Sequence, residues 1–280
     1  MKSRLLSTLR AWRGSKRAAT AAALTPPTRV GFGLHGNWPD YIRQNIDARY
    51  APSFLDLSQA DMDDFAAVIP LQIEHYPALA RFPDLRGRKF ILPSADVVAL
   101  CDDKLRLNDF LVAAGFGDLV PARRDFGPPY PYIRKRRQGW YGLHCQIVNH
   151  ADDEHDFDAG DEAWFAQAFV PGETEFATHI LRVGGRIRYA STFTYTMAAP
   201  ALVKGAHHKP ASTTFAPGCA HLDVFTDILA GLDFEGSVCI DYRLVDGRPV
   251  LFEINPRFGG SLCNDVTAYV DAYLGSLDRG

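Results

Sequence analysis

Paired cysteines, a basic surplus and a long apolar run are all missing from this sequence. The five cysteines (Cys101, Cys145, Cys219, Cys239 and Cys263) are scattered, with no CxxC pair. An odd, unclustered set excludes a disulfide scaffold and reads as reduced thiols of a cytoplasmic protein. Lys and Arg number 30 against 33 acids, a net charge of -3. That balance excludes a dedicated nucleic-acid binder, which carries a basic excess. No apolar stretch approaches the ~18 residues of a membrane span. Internal repeats are absent too.

What is present is ordinary in bulk. The 280 residues are 47% hydrophobic and 22% charged, enough for a normal core without help from metal or disulfide. Length allows one large domain or two to three small ones. Residues 1–27 form a basic leader that ends at Pro26-Pro27, with Leu5, Leu6, Leu9 and Trp12 at helical spacing. Such a leader can lie on a membrane surface as an amphipathic helix. The reading adopted is a flexible, solvated segment.

Beyond the leader, short apolar runs alternate with helical stretches. Residues 29–34, 53–57, 65–71 and 89–92 read as strands. Residues 40–48, 73–82 and 95–114 read as helices, the last broken near Asp102-Asp103. This rhythm predicts a small parallel α/β module. From about Val120 the rhythm changes to strands at 130–136, 144–149, 165–170, 175–183 and 186–195, with Gly184-Gly185 as a hairpin turn. A helix over 223–232 and two more strands complete an antiparallel α+β module.

Those last two strands, in the run GSVCIDYRLVDGRPVLFEINPRFGGS (236–261), carry the most information. Val238, Ile240, Tyr242, Leu244, Val250, Phe252 and Ile254 are apolar at every even position. They share one face if the connection keeps parity, as a three-residue loop Val245-Asp246-Gly247 does. The opposite face then gathers Asp241, Glu253 and Asn255, with Cys239 and Leu251. Carboxylates crowded in this way repel unless a cation sits between them. Hard oxygens with room for water and phosphate suit magnesium. Arg257 and the turn 255–261 follow, where an anionic intermediate would lie.

This segment resembles the closing segment of the ATP-grasp enzymes. The resemblance implies that Asp241, Glu253 and Asn255 hold Mg2+ ions (two, with Mn2+ able to substitute) on the ATP phosphates. Arg257 would contact the transferred phosphate. The earlier motifs of that superfamily follow in order. Asp103-Lys104 resembles the start of its Asp-Lys helix, which implies Lys104 on a phosphate. Pro131–Lys135 resembles its lysine strand, which implies Lys135 on ATP and in catalysis. The loop Gln138-Gly139-Trp140-Tyr141-Gly142 departs from the usual glycine richness, yet Gly139 and Gly142 can present N–H groups to phosphate. Residues 165–176 resemble the adenine hinge, which implies Gln167, Phe169 and Val170 near the base. Glu175 would hold the ribose, with Glu173 the competing choice. Lys204, His207, His208 and Lys209 form a substrate-facing loop rather than a zinc site.

The implied architecture is an ATP-grasp fold, α/β and α+β. A small parallel α/β pre-ATP-grasp domain spans 28–93 and the grasp domain 94–280. The latter divides into a glycine-loop part at about 120–170 and a metal-binding part at about 171–270. The implied activity is an ATP-dependent carboxylate–amine ligase acting through an acyl-phosphate on an amino acid, peptide or sugar acid. A phosphotransferase and a non-catalytic nucleotide-binding regulator are the alternatives, and a homodimer is compatible with each. The string Gly31-x-Gly33-x-x-Gly36, with Asp56 about twenty residues on, matches a dinucleotide-binding fingerprint on paper. Asn37-Trp38-Pro39 follows it and reads as a loop where that motif needs a helix.

Overall fold

The computed structural model describes residues 26–139, 142–154, 158, 160–205 and 207–278. The leader up to residue 25 and the loop aromatics Trp140 and Tyr141 lie outside the described residues. In the N-terminal part, β1 (Thr28–Gly33) is followed by α1 (Trp38–Asn45), β2 (Tyr50–Leu55) and β3 (Ala67–Ile69). The strands pair in parallel in the order β2-β1-β3. Buried Val30, Phe32, Ala67 and Ile69 anchor the sheet.

Three details differ from expectation. The expected helix over 73–82 is a 3-10 turn (Ile73–His75) and a short α2 (Tyr76–Leu79), because Pro77 and Pro83 interrupt the backbone hydrogen bonding. Residues 89–92 form no strand: Gly87 N donates to the Phe90 carbonyl at 2.8 Å, closing a local turn, and only a single bridge joins Arg86 to Phe90. The segment read as a loop after Gly36 is the start of α1, with Pro39 in its first turn, where a missing N–H costs nothing. The glycines themselves are packing residues. A Cβ on Gly33 would lie 2.2 Å from the His75 ring, and one on Gly31 2.8 Å from Leu55. His75 covers the backbone that a dinucleotide would have to approach.

Next come α3 (Ala95–Asp102) and α4 (Lys104–Leu111). Ser94 caps α3 by accepting from Val97 N. The helical stretch breaks at Asp103, which is extended (φ -94, ψ 96) and caps α4 by accepting from Leu105 N and Arg106 N. The second sheet has the order β4-β7-β5-β6. It is built from β4 (Arg123–Arg124), β5 (Tyr132–Arg136), β6 (Cys145–Val148) and β7 (Trp164–Ala168).

The third sheet has five antiparallel strands in the order β10-β9-β8-β11-β12. They are β8 (Thr174–Val183), β9 (Arg186–Thr196), β10 (Ser212–Pro217), β11 (Gly236–Val245) and β12 (Arg248–Asn255). Helix α5 (Leu222–Gly231) precedes β11, and α6 (Val266–Leu274) ends the described chain. One face of this sheet buries Ile180, Val238, Ile240, Tyr242, Leu251 and Ile254 against α3, α4 and α5. At one end of the other face, Leu181 joins Phe258, Tyr269 and the N-terminal sheet in a second core. The rest of that face mixes polar side chains with Ala177 and Phe193.

Candidate active site

The hairpin of β11 and β12 reaches its polar face by a route different from the expected one. Its turn has two residues, Asp246-Gly247, since Val245 pairs with Arg248. Both turn residues have positive φ (48 and 77), the Asp-Gly geometry that matches strand twist. A two-residue turn inverts the parity that the three-residue loop would keep. Parity is restored by a β-bulge: Tyr242 pairs with Leu251 and Asp241 with Glu253, leaving Phe252 as the extra residue. Leu251 therefore enters the core, while the Phe252 ring turns toward the polar face under Lys135 and Arg243. Leu244, expected in the core, is exposed.

The bulge sets the three expected ligands together. Asn255 Nδ2 donates to Asp241 Oδ2 at 3.1 Å and to Glu253 Oε1 at 3.0 Å. Its Oδ1 accepts from Arg257 Nη2 at 3.3 Å. Turning the amide oxygen toward a cation would therefore also release Arg257. Two lysines reach the same carboxylates. Lys204 Nζ lies 2.9 Å from Asp241 and 3.0 Å from Glu175, and Lys104 Nζ lies 3.3 Å from Glu253. Among the described residues no three His, Cys, Asp or Glu side chains converge. A hard ion completed by phosphate and water needs no more protein than this set.

Each lysine is placed by a separate device. The Asp103 carboxylate that caps α4 also receives a fork from Arg137, with Nη2 at 2.6 Å and Nε at 3.1 Å. Arg137 O accepts from Lys104 N at 2.9 Å. This clamp fixes the first residue of α4, so Lys104 reaches both Glu253 and the Gly139 carbonyl. Lys135 projects from β5 over Phe252, its Nζ 5.3 Å from the ring centre. Lys204 lies on the loop after β9, its Nζ 4.1 Å from the centre of the Tyr195 ring.

Burial and charge tune these groups in opposite directions. Burial pushes the Lys135 ammonium below the usual lysine range. Burial works against the Lys204 ammonium as well, but Asp241 and Glu175 outweigh it and hold Lys204 charged. Burial raises Asp241 despite Lys204. The same burial acts on Glu253, yet Lys104, Asn255 and Arg257 bring it down to about 2. The two facing carboxylates are thus pushed in opposite directions, Asp241 up by burial and Glu253 down by its cationic and amide neighbours.

The residues expected on the nucleotide side differ in how they are held. Glu175 is buried between Lys204 and Arg243, whereas Glu173 is exposed. Gln167 is buried, but its amide donates to the Pro121 carbonyl at 3.1 Å, so its NH2 is engaged by the chain itself. Phe169 and Val170 follow β7 directly. The Val170 carbonyl accepts from Arg243 Nη1 at 2.7 Å, so it too is engaged by the chain itself. Gly139 and Gly142 both have positive φ (130 and 64). A Cβ on Gly142 would meet the Lys204 carbonyl at 2.7 Å.

Two side chains on this face escaped the sequence reading, Tyr195 on β9 and His179 on β8. Arg243, visible near the carboxylates in the sequence, lies on β11. His179 Nε2 is 2.7 Å from Ser261 Oγ, and burial, with Arg257 nearby, lowers its imidazole to about 3. The signal for His179 was faint: it stands four residues from Glu175, on the same face, in a strand that also carries Thr178 and Arg182. Arg243 stands two residues from Asp241.

No protein-family model matches the chain, and no curated protein matches it. Solved structures do. The D-alanine–D-alanine ligase of Bacillus anthracis, complexed with ATP, aligns over 90% of this chain and 97% of its own at a TM-score of 0.57 and 14% identity. The chain has the ATP-grasp fold. Two further ATP-grasp neighbours extend the likeness. The L-amino acid ligase of Bacillus licheniformis covers 86% of this chain and 69% of its own, with TM-score 0.57 and 18% identity. The phosphoribosylamine–glycine ligase of Thermotoga maritima covers 89% and 76%, with TM-score 0.60 and 15% identity.

Proposed function

We propose that this chain is an ATP-dependent ligase that activates a carboxylate as an acyl-phosphate and joins it to an amine. The observation that carries the reading is the convergence of Asp241, Glu253 and Asn255 with Lys104, Lys204 and Arg257 on one face of an ATP-grasp sheet. The three ligases of small molecules whose structures it resembles are consistent with it. Residues 28–93 act as the pre-ATP-grasp domain and 94–280 as the grasp domain.

Asp241, Glu253 and Asn255 are the oxygen donors for magnesium, which would supply charge neutralisation at the phosphates. Lys104 and Lys135 bind ATP phosphates, and Gly139 and Gly142 present backbone N–H groups to them. Phe169 and Val170 line the base, and Glu175 takes the ribose hydroxyls once Lys204 moves to an anion. A substrate carboxylate oxygen forms a bond to the γ-phosphorus while the bond to the bridging oxygen of ADP breaks. Arg257 faces the charge on that phosphoryl group. The amine nitrogen then bonds to the acyl carbon, the carbon–oxygen bond to phosphate breaks, and the amine proton leaves to solvent. The five unpaired cysteines fit a reducing compartment such as the cytoplasm.

The test is ADP release from Mg-ATP, screened against carboxylates and amines together, with hydroxylamine as a trap. A hydroxamate that forms only with ATP and the right carboxylate supports the ligase. A stable phosphorylated product with no hydroxamate would identify a phosphotransferase instead. Full magnesium-dependent turnover in both Asp241→Asn and Glu253→Gln would sink the site assignment.

A further inference from the structure

Arg243 is a buried charge to which the chemistry above gives no task. It is 3% exposed, and burial lowers its guanidinium with Glu175 only partly compensating. Nη1 donates to the Val170 carbonyl at 2.7 Å and the Pro200 carbonyl at 3.5 Å. Nη2 donates to the Leu202 carbonyl at 3.0 Å and lies 3.7 Å from the Glu175 carboxylate. Nε finds no partner. A buried cation that mostly meets neutral carbonyls is expensive where packing is the only need, and an apolar residue would fill the space at lower cost. The planar fork does something an apolar residue cannot: it holds several separate backbone segments at fixed angles.

Those segments belong to different parts of the site. Val170 is the hinge between β7 and β8. Glu175 opens β8, and Pro200–Leu202 lead straight to Lys204. The loop also touches the hinge through Gly172 N, which donates to Pro200 O at 3.2 Å. Lys204 returns to Glu175 and Asp241, so the links form a closed ring around the proposed nucleotide pocket. A base that orders Val170 through its N–H reaches Pro200 and Leu202 through one guanidinium.

We propose that Arg243 is a positioning residue that ties the base-binding hinge to the loop carrying Lys204, so that filling the hinge orders the loop before any phosphate is engaged. The proposal rests on the nucleotide-binding reading above. If the loop answered to phosphate alone, only a phosphorylated ligand would order it. With Arg243 as the link, adenosine is sufficient.

Hydrogen exchange resolved by mass spectrometry separates the two cases, using saturating adenosine and, in parallel, ADP with magnesium. In the wild-type chain adenosine should protect both 168–175 and 199–205. In Arg243→Lys, which keeps a cation but loses the fork, adenosine should protect the hinge alone, and ADP should bind about tenfold more weakly. A melting curve checks that this variant is folded. The proposal is overturned if adenosine leaves 199–205 unprotected in the wild type, a result that stands even if the variant fails to fold. It is overturned equally if the loop stays protected in Arg243→Lys. The ADP arm identifies which idea failed: protection of 168–175 by ADP keeps the nucleotide reading, and none anywhere removes both.

Discussion

The four-stranded sheet and the loop after β9 face each other across the site, and each contributes a lysine. Lys135 on the sheet is buried with no carboxylate at ion-pair distance among the described residues, and burial depresses its ammonium. Lys204 on the loop is pinned between Asp241 and Glu175, and they keep it charged. One cation is held without a counter-ion on a rigid strand. The other is neutralised on a loop that can let go. In the proposed function the first is a fixed receptor for an arriving anion, and the second stands in for a cation until one binds.

The comparison breaks most completely if the carboxylates are removed. Asp241→Asn should lower kcat about a thousandfold, since charge neutralisation at the phosphates is the largest contribution to phosphoryl transfer. Steady-state rates in saturating magnesium check this. Next in size are two lysine variants with opposite stability effects. Lys204→Met leaves two carboxylates buried without their cation and should destabilise the ligand-free chain by about 3 kcal/mol. Lys135→Met removes an unpaired buried ammonium and should stabilise it by about 1 kcal/mol while raising the KM for ATP roughly a hundredfold. Urea unfolding reads the signs, and equal signs would end the contrast.

A titration sharpens the same point. Folding favours neutral Lys135, so the unfolded chain binds more protons there. Stability should therefore rise with pH between the depressed folded value and the ordinary 10.5 of the unfolded chain. ATP affinity should fall over the same window as the ammonium is lost. Lys135→Met should abolish the stability rise, and Lys135→Arg should flatten the loss of affinity. The smallest effect is expected from Gly142→Ala. Its φ of 64 and the 2.7 Å approach to the Lys204 carbonyl strain the loop by about 1 kcal/mol, measurable as a few-fold rise in the KM for ATP.

Much of this was legible in the sequence because the chemistry is written in local patterns. Val238, Ile240 and Ile254 alternate with Cys239, Asp241, Glu253 and Asn255, and alternation alone set the latter on the polar face. The Asp103 break between two helices was visible from composition, and its capping role follows from its side chain. Phe252 was misread because an apolar residue at an even position looks like core, and nothing local announces a bulge. The two-residue turn was missed for the same reason: an even turn seemed to contradict the carboxylate pairing until an extra residue was allowed. Strand β10 and helix α6 went unassigned. All six residues of β10 are exposed, so it lacks the alternation that marks a strand, and tertiary pairing with β9 alone defines it. Arg243 and Lys204 depend on contacts between distant segments, which no single stretch of sequence displays.

The extra residue at Phe252 acts as a phase corrector. Up to the Asp246-Gly247 tip the two strands run in one alternation, and past the bulge they run in the other. The tip can therefore be replaced or lengthened by pairs of residues without disturbing the carboxylates. Deleting Phe252 alone would close the bulge and leave Glu253 opposite Asp241 in a regular ladder, with the ring beneath Lys135 and Arg243 lost. In this hairpin the carboxylate pairing would outlast the bulge.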